Sequence, residues 1–133
     1  MRKSASIVNF KSKVSPVSNV THYFYYEVTR WAGVQHARIR IGCSKLNAHL
    51  CNNLHVVEHQ SCVCGHFVED AFHYFMECTR YNALRIILFT NVVQLSDINI
   101  KTFLYGNPSI SLNDNCKIFD AVQRFIIDSN RSN

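Results

Sequence analysis

The sequence predicts a mainly α-helical fold, a small helical domain with a zinc-clipped turn and little or no strand. Apolar residues recur at helical spacing through the second half of the 133-residue chain, whereas strand-like alternation is confined to short pieces. Cysteines and a histidine cluster between residues 62 and 78 in the manner of a metal site. A chain of this length buries enough surface to form a core without disulfides.

The chain is expected to divide at about residue 20. Residues 1–20 are rich in serine, lysine and valine and show no sustained period, so they are predicted to be a flexible basic arm. Residues 21–133 are predicted to form one helical zinc-binding domain, with the zinc clip at residues 62–78. The basic start lacks the apolar stretch of a signal peptide, and no apolar run approaches the roughly 18 residues of a membrane helix. We therefore expect a soluble intracellular protein, nuclear or cytoplasmic, with no membrane partner and reduced cysteines.

The segment from Arg30 to Ile41 is the first regular element and fits two descriptions. As a helix it would present one face made of Trp31, Val34, Arg38 and Ile41. As a strand, its last four residues would alternate between two faces. Gly42 ends either element. A short helix through Cys51, capped by Ser44, and an extended piece at residues 54–57 are expected next.

Four helices are predicted in the second half, at about residues 68–77, 80–92, 97–105 and 115–128. The first has acidic residues in its opening turn and a core-facing stripe made of Val68, Ala71, Phe72, Phe75 and Met76. The second turns Leu84 and Leu88 inward. The third begins at the cap Ser96 and ends at Gly106 and Pro108. The last carries an apolar side made of Ile118, Phe119, Val122, Phe125 and Ile126.

Positive charge is concentrated in the first half of the chain. Residues 1–57 hold eight lysines or arginines and one acid, Glu27, which gives +7; residues 58–133 hold six basic and eight acidic residues, which gives −2. Such asymmetry is typical of proteins that bind nucleic acid or another anionic surface. The alternative interpretation is a solvated surface that happens to be basic.

The strongest chemical signal is the pattern C-x-C-G-x7-H-x4-C, formed by Cys62, Cys64, His73 and Cys78. Structural zinc takes four sulfur or nitrogen ligands at tetrahedral corners. Two cysteines one residue apart can face one ion when the chain turns tightly at Gly65. Because His73 and Cys78 are five residues apart, the helix that carries them is expected to end or loosen near Glu77. The sequence therefore predicts a zinc ion bound by these four residues.

Two alternatives to this site stay open. The cysteines could be small buried hydrophobic residues and His73 a hydrogen-bonded core histidine. His66 is the main rival for the histidine position. If His73 binds the ion, Glu69 or Asp70 is expected to accept a hydrogen bond from its second ring nitrogen, because both acids lie one helical turn before it.

Catalysis is not expected of this chain. Four protein ligands would complete the zinc coordination and leave no position for substrate or water. Residues 55–59 contain two histidines but not the H-E-x-x-H order of a metalloprotease, and no P-loop or dinucleotide-binding signature occurs. These histidines are predicted to lie at the surface. Three further cysteines are expected to be buried or free thiols, namely Cys43, Cys51 and Cys116.

Several blocks of the sequence occur together in one known family. Residues 36–50 read HARIRIGCSKLNAHL, and residues 103–106 read FLYG ahead of the closing amphipathic helix. Between them stand Cys62-x-Cys64-Gly65, Glu69-Asp70, His73-Tyr74-Phe75, Cys78 and Tyr81. Over about residues 31–127, this combination resembles the C-terminal region of the reverse-transcriptase polyprotein of non-LTR (LINE-type) retrotransposons.

The resemblance implies a region that follows the polymerase domain, holds zinc and contacts RNA or target DNA. It implies a metal bound by Cys62, Cys64, His73 and Cys78. It favours a helix at residues 31–41 and implies nucleic-acid contacts at Arg38, Arg40 and Lys45. One departure is Thr79, where the family usually has proline. The Tyr-x-Asp-Asp polymerase motif and the endonuclease carboxylates are missing, so the chain would be a detached tail or a remnant open reading frame, unable to polymerise. The remainder of the polyprotein would be a further partner.

We therefore expect a zinc-stabilised nucleic-acid-binding module without catalytic residues. Its basic first half would meet phosphates, and Tyr25 or Tyr26 would be available to stack on bases, whereas Trp31 is more typical of a core position. The alternative function is a structural or protein-interaction remnant without nucleic-acid affinity. A metalloenzyme is the third and least expected function.

Overall fold

The computed structural model describes residues 28–131, and the expected basic arm at residues 1–20 lies outside the described residues. Five α-helices follow one another in this range: α1 (Arg30–Ile41), α2 (Asn47–Asn52), α3 (Asn82–Val93), α4 (Ile100–Tyr105) and α5 (Leu112–Ser129). A π-helical turn (His73–Glu77) and a 3-10 turn (Thr79–Tyr81) lie between α2 and α3. Residues 28–131 contain no β-strand. The predicted mainly helical fold is confirmed.

The longest helix, α5, is the centre of the core. Its apolar side is buried as predicted, through Ile118, Phe119, Val122, Phe125 and Ile126. The helices α1, α3 and α4 all pack against it. It begins three residues earlier than expected, because the Ser111 hydroxyl accepts a hydrogen bond from the Asp114 backbone N–H at 3.0 Å and so caps the first turn.

Helix α1 resolves the choice between helix and strand in favour of helix. Thr29 caps its first turn, and Gly42 ends it in the left-handed conformation at φ 81°. The face made of Trp31, Val34, Arg38 and Ile41 is not the buried one, because Trp31 and Val34 are half-buried and Arg38 and Ile41 are exposed. The buried face instead consists of Ala32, Gly33, Gln35, His36 and Ile39. This face is buried because its small residues let α1 approach the core closely. In addition, the His36 ring forms hydrogen bonds there with the Phe103 carbonyl and the Gln123 side chain.

The connection from α1 to Cys62, the start of the segment at residues 62–78 that is called the metal loop below, is mostly irregular. Ser44 does not cap α2; its hydroxyl accepts a hydrogen bond from the Leu46 backbone N–H, before the helix begins. The expected extended piece at residues 54–57 is no strand, and Leu54 and Val56 are exposed. A strand there would have no partner strand within residues 28–131 to complete its hydrogen bonds.

The helix predicted at residues 68–77 is shorter and offset. Residues 68–70 are not helical, because the backbone of Glu69 is engaged elsewhere: its N–H donates to Gln60 and its carbonyl accepts from Ala48. The helical part begins at residue 71. The predicted stripe is therefore wrong at Phe72, which is 46% exposed, while His73 and Tyr74 are buried beside Phe75.

The two following helices occur close to where they were predicted. In α3, Leu88 is buried and Leu84 half-buried. In α4 the cap is Asn99 and not Ser96, because the Asn99 side chain accepts the Thr102 backbone N–H at 2.9 Å while the Ser96 hydroxyl accepts from Asn107. Gly106 ends α4 at φ 84° as expected. Within the described part of the chain, no helix has the length and apolar character to span a membrane.

Candidate metal centre

Four side chains converge between α2 and α3 and form a cluster that could hold a metal ion. The three cysteine sulfurs and a ring nitrogen of His73 all lie within 4.8 Å of one another. The Sγ atoms of Cys62 and Cys78 are 3.7 Å apart, and Sγ of Cys64 is 3.2 Å from Nε2 of His73. Two sulfur ligands of one tetrahedral zinc ion lie about 3.8 Å apart. The spacing is therefore that of ligands around a single ion.

A tight turn brings Cys62 and Cys64 to the same side. The Gly65 N–H donates to the Cys62 carbonyl at 3.0 Å, and the Cys62 N–H donates to the His66 carbonyl at 2.8 Å. Gly65 has φ 107°, a conformation that side-chain-bearing residues rarely adopt. A Cβ at this position would meet nothing within 4 Å, so the backbone angle and not crowding requires glycine.

The π-helical turn brings His73 and Cys78 together. Asp70 starts it, because its carboxylate accepts the His73 backbone N–H at 2.8 Å. The Cys78 N–H donates to the His73 carbonyl at 2.7 Å, five residues back, and Cys78 itself is extended at ψ 124°. On a regular α-helix, residues five apart point about 140° away from each other. The wider π turn and the extended Cys78 remove this difference, so the predicted loosening near Glu77 is confirmed.

The second ring nitrogen of His73 faces Glu77. Nδ1 is buried and has no hydrogen-bond partner within residues 28–131; Oε1 of Glu77 lies 3.6 Å away. The expectation that Glu69 or Asp70 would serve this nitrogen is wrong, because Asp70 caps the turn and Glu69 binds arginines. Glu77 was missed, although its position four residues after His73 is a signal that could have found it.

His66 lies beside the cluster rather than among the sulfurs. Its ring stacks flat on the His73 imidazole, with the ring centroids 4.3 Å apart and the planes 5° from parallel. His66, His73 and Glu77 also form a group within 4.8 Å of one another. The structure thus groups His73 with the three cysteines and places its rival, His66, over one face of the His73 ring.

An ion-pair cluster around the buried Glu69 adjoins the sulfurs, and the sequence reasoning missed it. The Arg80 guanidinium donates to Sγ of Cys62 at 3.1 Å, to Sγ of Cys78 at 3.4 Å and to Glu69 at 2.9 Å. Glu69 also accepts from Arg131 and from the Asn47 backbone N–H. Burial raises the pKa of Glu69, but the hydrogen bonds from Arg131 and Asn47 outweigh it and hold the pKa below its usual value. For Arg80, the only signal in the sequence was that it lies two residues after Cys78.

The thiols differ in acidity. Burial raises the pKa of Cys62 to about 11. A hydrogen bond from the backbone of His66 lowers the pKa of Cys64 to about 6. Because metals bind the thiolate, the lowered pKa of Cys64 favours its metal-binding form.

The residues expected to contact nucleic acid occupy different environments. Arg38 and Lys45 are exposed. Arg40 is half-buried: its Nε–H donates to the Leu104 carbonyl, and its guanidinium lies 5.8 Å from the centre of the Phe119 ring. Trp31 is half-buried against the core, and Tyr25 and Tyr26 lie outside the described residues. The structure therefore leaves two of the three cations on the surface and uses Arg40 in packing α1 against α4 and α5.

The other cysteines and histidines stand apart from the cluster. All six cysteines are free; Cys43 is exposed, and Cys51 and Cys116 are half-buried. His55 and His59 are exposed, as predicted. The cluster of Cys62, Cys64, His73 and Cys78, which could hold a metal ion, is thus the chemically distinctive feature of residues 28–131. Comparisons of the chain with protein-family models, with curated proteins and with solved structures find no match.

Proposed function

We propose that the chain is a zinc-stabilised nucleic-acid-binding module, similar to the non-catalytic C-terminal tail of a non-LTR retrotransposon reverse transcriptase. The observation that carries the zinc assignment is the convergence of three cysteine sulfurs and Nε2 of His73 within 4.8 Å. Three thiolates and one imidazole in a closed tetrahedral arrangement suit Zn²⁺ better than the hard cations, which prefer oxygen ligands. Free thiols in the remaining cysteines fit a reducing compartment.

The proposed role of zinc is structural. Four protein ligands fill a tetrahedral shell, which leaves no open position for a substrate or a reactive water. The ion would join the turn at Cys62 and Cys64 to the π-helical turn, in a region with little regular secondary structure of its own. Structural zinc contributes about 10 to 16 kcal/mol of apparent binding energy in small domains, and most of it is folding energy.

The proposed nucleic-acid surface lies on the α1 side of the molecule. Residues 58–79 contain four acids and no lysine or arginine, so the metal loop itself would repel phosphates. Arg38 and Lys45 are exposed and belong to the part of the chain that carries +7. We assign them as phosphate contacts, with Arg40 holding α1 in place beneath them. Binding through phosphates is sequence-independent and weakens with salt.

A protein-interaction module is the second candidate. Three apolar side chains on α3 are exposed, Ile86 at 67%, Ile87 at 58% and Val93 at 61%. Exposed apolar side chains on one helix favour a protein partner over a phosphate backbone. Salt-dependent binding to RNA or DNA separates the two functions, because an apolar contact is much less sensitive to ionic strength.

The zinc assignment is tested by native mass spectrometry of protein purified under reducing conditions. The wild type is expected to retain one zinc ion, and Cys78→Ser is expected to lose it because the shell then lacks a thiolate. Cys43→Ser removes an exposed cysteine outside the cluster and is the matched control. Metal-free wild type, or full metal in Cys78→Ser, would exclude the site.

Nucleic-acid binding is tested by titrating RNA and DNA at several salt concentrations. If about five basic residues meet phosphates, the logarithm of affinity falls with the logarithm of salt at a slope near −4.5 for duplex DNA, or near −3.5 for single strands. The double variant Arg38→Gln, Lys45→Gln is expected to lessen the slope by about 1.8 on duplex DNA. The control Lys101→Gln, Lys117→Gln removes the same charge from exposed positions in the second half. If the two double variants show equal salt slopes, the binding surface does not lie on α1.

A further inference from the structure

We propose that Arg80 is the counter-ion of the metal centre: a positioning residue that neutralises the bound thiolates and holds two of them by hydrogen bonds. The inference deepens the proposed zinc site and rests on it. What points to it is a cluster of three charged side chains, the buried Glu69 with the partly exposed Arg80 and Arg131, in which Arg80 reaches both the carboxylate and the sulfurs.

The geometry of Arg80 suits thiolates. Its Nε–H points at Sγ of Cys78 at 3.4 Å, and its Nη2 lies 3.1 Å from Sγ of Cys62. These two sulfurs are the pair that lies 3.7 Å apart in the cluster. A single guanidinium thus spans both. Hydrogen bonds to ionised acceptors are about twice as strong as neutral ones, so this contact is strongest when the two sulfurs are bound to a metal ion as thiolates.

The charges of the cluster favour another anion beside Arg80. Glu69 is 1% exposed and accepts two hydrogen bonds from Arg131, which neutralises one guanidinium with one carboxylate. The positive charge of Arg80 is then left over. Three thiolates, a neutral imidazole and a divalent cation carry a formal charge of −1, which cancels it. Without a metal ion, Arg80 would share Glu69 with Arg131 and depend on water for the rest of its compensation, because 30% of its side chain is exposed.

The shape of the side chain explains why the residue is arginine. Arginine presents a rigid planar fork of N–H donors, whereas lysine presents one nitrogen on a flexible stem. Two sulfurs and one carboxylate oxygen surround Arg80, and its fork meets all three from two of its nitrogens. A lysine would keep the charge but could not span the same acceptors. Lysine at this position is therefore expected to stabilise the metal-bound thiolates less than arginine does.

The test uses the full chain loaded with zinc and measures the rate at which a coloured chelator removes the ion. Arg80→Gln is expected to release zinc about 10 to 100 times faster than wild type, the usual range for the loss of a partner to metal ligands. The zinc release rate of Arg80→Lys is expected to lie between those of wild type and Arg80→Gln. The matched control is Arg124→Gln, which removes an exposed arginine paired with Asp120 on α5.

A second readout reports on the sulfurs themselves. In the cobalt-substituted protein, the thiolate-to-metal charge-transfer band of Arg80→Gln is expected to move to longer wavelength, because thiolates without N–H donors hold their electrons less tightly. Circular dichroism of the same sample checks that the helices are retained. A merely structural role for Arg80 would leave this band in place, and Arg80→Lys provides the same measurement should Arg80→Gln not fold.

The outcomes separate the inference from the proposed zinc site. Suppose that wild type binds one zinc ion, that Arg80→Gln and Arg124→Gln release it at equal rates, and that the cobalt bands are unshifted. This result would overturn the counter-ion role of Arg80 but leave the zinc site supported. Wild type that binds no metal would overturn both. Faster release and a shifted band in Arg80→Gln alone support the inference.

Discussion

Arg131 donates hydrogen bonds to both carboxylate oxygens of Glu69, at 2.7 and 2.6 Å, across 62 residues of sequence. The pair joins the end of α5 to the segment just before the π-helical turn. It therefore ties the metal loop to the helical core by a route that does not pass through the cysteines. Such a two-point contact between a planar guanidinium and a carboxylate is geometrically demanding and fixes both partners.

Glu69→Gln is expected to destabilise the fold by about 3 to 5 kcal/mol, because it removes a buried carboxylate and leaves Arg131 without its counter-charge. The measurement is urea-induced unfolding at saturating zinc and pH 7. Glu58→Gln neutralises an exposed acid and is expected to change the free energy of unfolding by less than about 0.5 kcal/mol. Equal midpoints for the two variants would contradict the structural role of Glu69.

His36 makes the stability of the fold dependent on pH. Its Nε2–H donates to the Phe103 carbonyl at 2.6 Å, and its Nδ1 accepts from Gln123 at 3.3 Å, so the neutral ring is the form that fits. Burial, with a smaller effect of Arg40, lowers the pKa of His36 from 6.5 to about 3. Protonation therefore favours the unfolded chain. Stability from this group is complete above about pH 6.5 and falls as the pH drops from 6.5 towards 3.

Between pH 7.5 and 5.5, wild type is expected to lose about 1.4 kcal/mol through His36, measured as the free energy of unfolding in urea. His36→Gln is expected to be less stable at pH 7.5 but to lose less over the same interval. Zinc content is determined at each pH so that metal release is not mistaken for the histidine effect. Parallel pH profiles of variant and wild type would contradict the assignment.

The choice of histidine ligand can be tested by two alanine variants. His73→Ala is expected to lose or strongly weaken zinc binding, because Nε2 of His73 faces the sulfurs. His66→Ala is expected to retain the ion, since it removes only a ring stacked on His73. Competition with a chelator of known affinity measures both. Zinc retained by His73→Ala and lost by His66→Ala would assign the fourth ligand to His66.

Removal of the metal is expected to unfold the loop before the core. Residues 60–80 contain little regular structure beyond the π-helical and 3-10 turns, so the ion would add to the few ties that hold them, such as the Glu69–Arg131 pair and the buried Phe75. Hydrogen–deuterium exchange after chelation is expected to show lost protection in this segment, while the buried part of α5 stays protected. Unchanged exchange in residues 60–80 would show that the metal contributes nothing to their structure.

Phe72 and Phe75 test the register of the π-helical turn. Phe75 is fully buried and meets the rings of Phe103 and Phe125, whereas Phe72 is 46% exposed. Phe75→Ala is expected to cost about 3 to 5 kcal/mol in unfolding free energy. Phe72→Ala is expected to cost less than about 1 kcal/mol. Urea unfolding of both variants gives the comparison, and similar losses would contradict the observed register.

The features that the sequence predicted correctly are those encoded by short-range spacing. The apolar side of α5 repeats every three to four residues, so its burial follows from helical geometry alone. The convergence of the three cysteines with His73 was likewise predicted from their spacing. Cys62 and Cys64 are one residue apart and can face one ion because the chain turns at a glycine just after them. The fold class followed from the same periodicities.

The tertiary structure decided which face of α1 is buried, where the helical turn before Cys78 begins, and which side chains surround the sulfurs. His36 and Phe103 are 67 residues apart in the sequence, and Glu69 and Arg131 are 62 apart. No local sequence pattern therefore predicts either contact. The Trp31 face is more apolar by sequence, yet α1 turns His36 inward because a carbonyl and an amide across the core satisfy its polar atoms. Burial depends on such distant partners, and their positions exist only once the chain has folded.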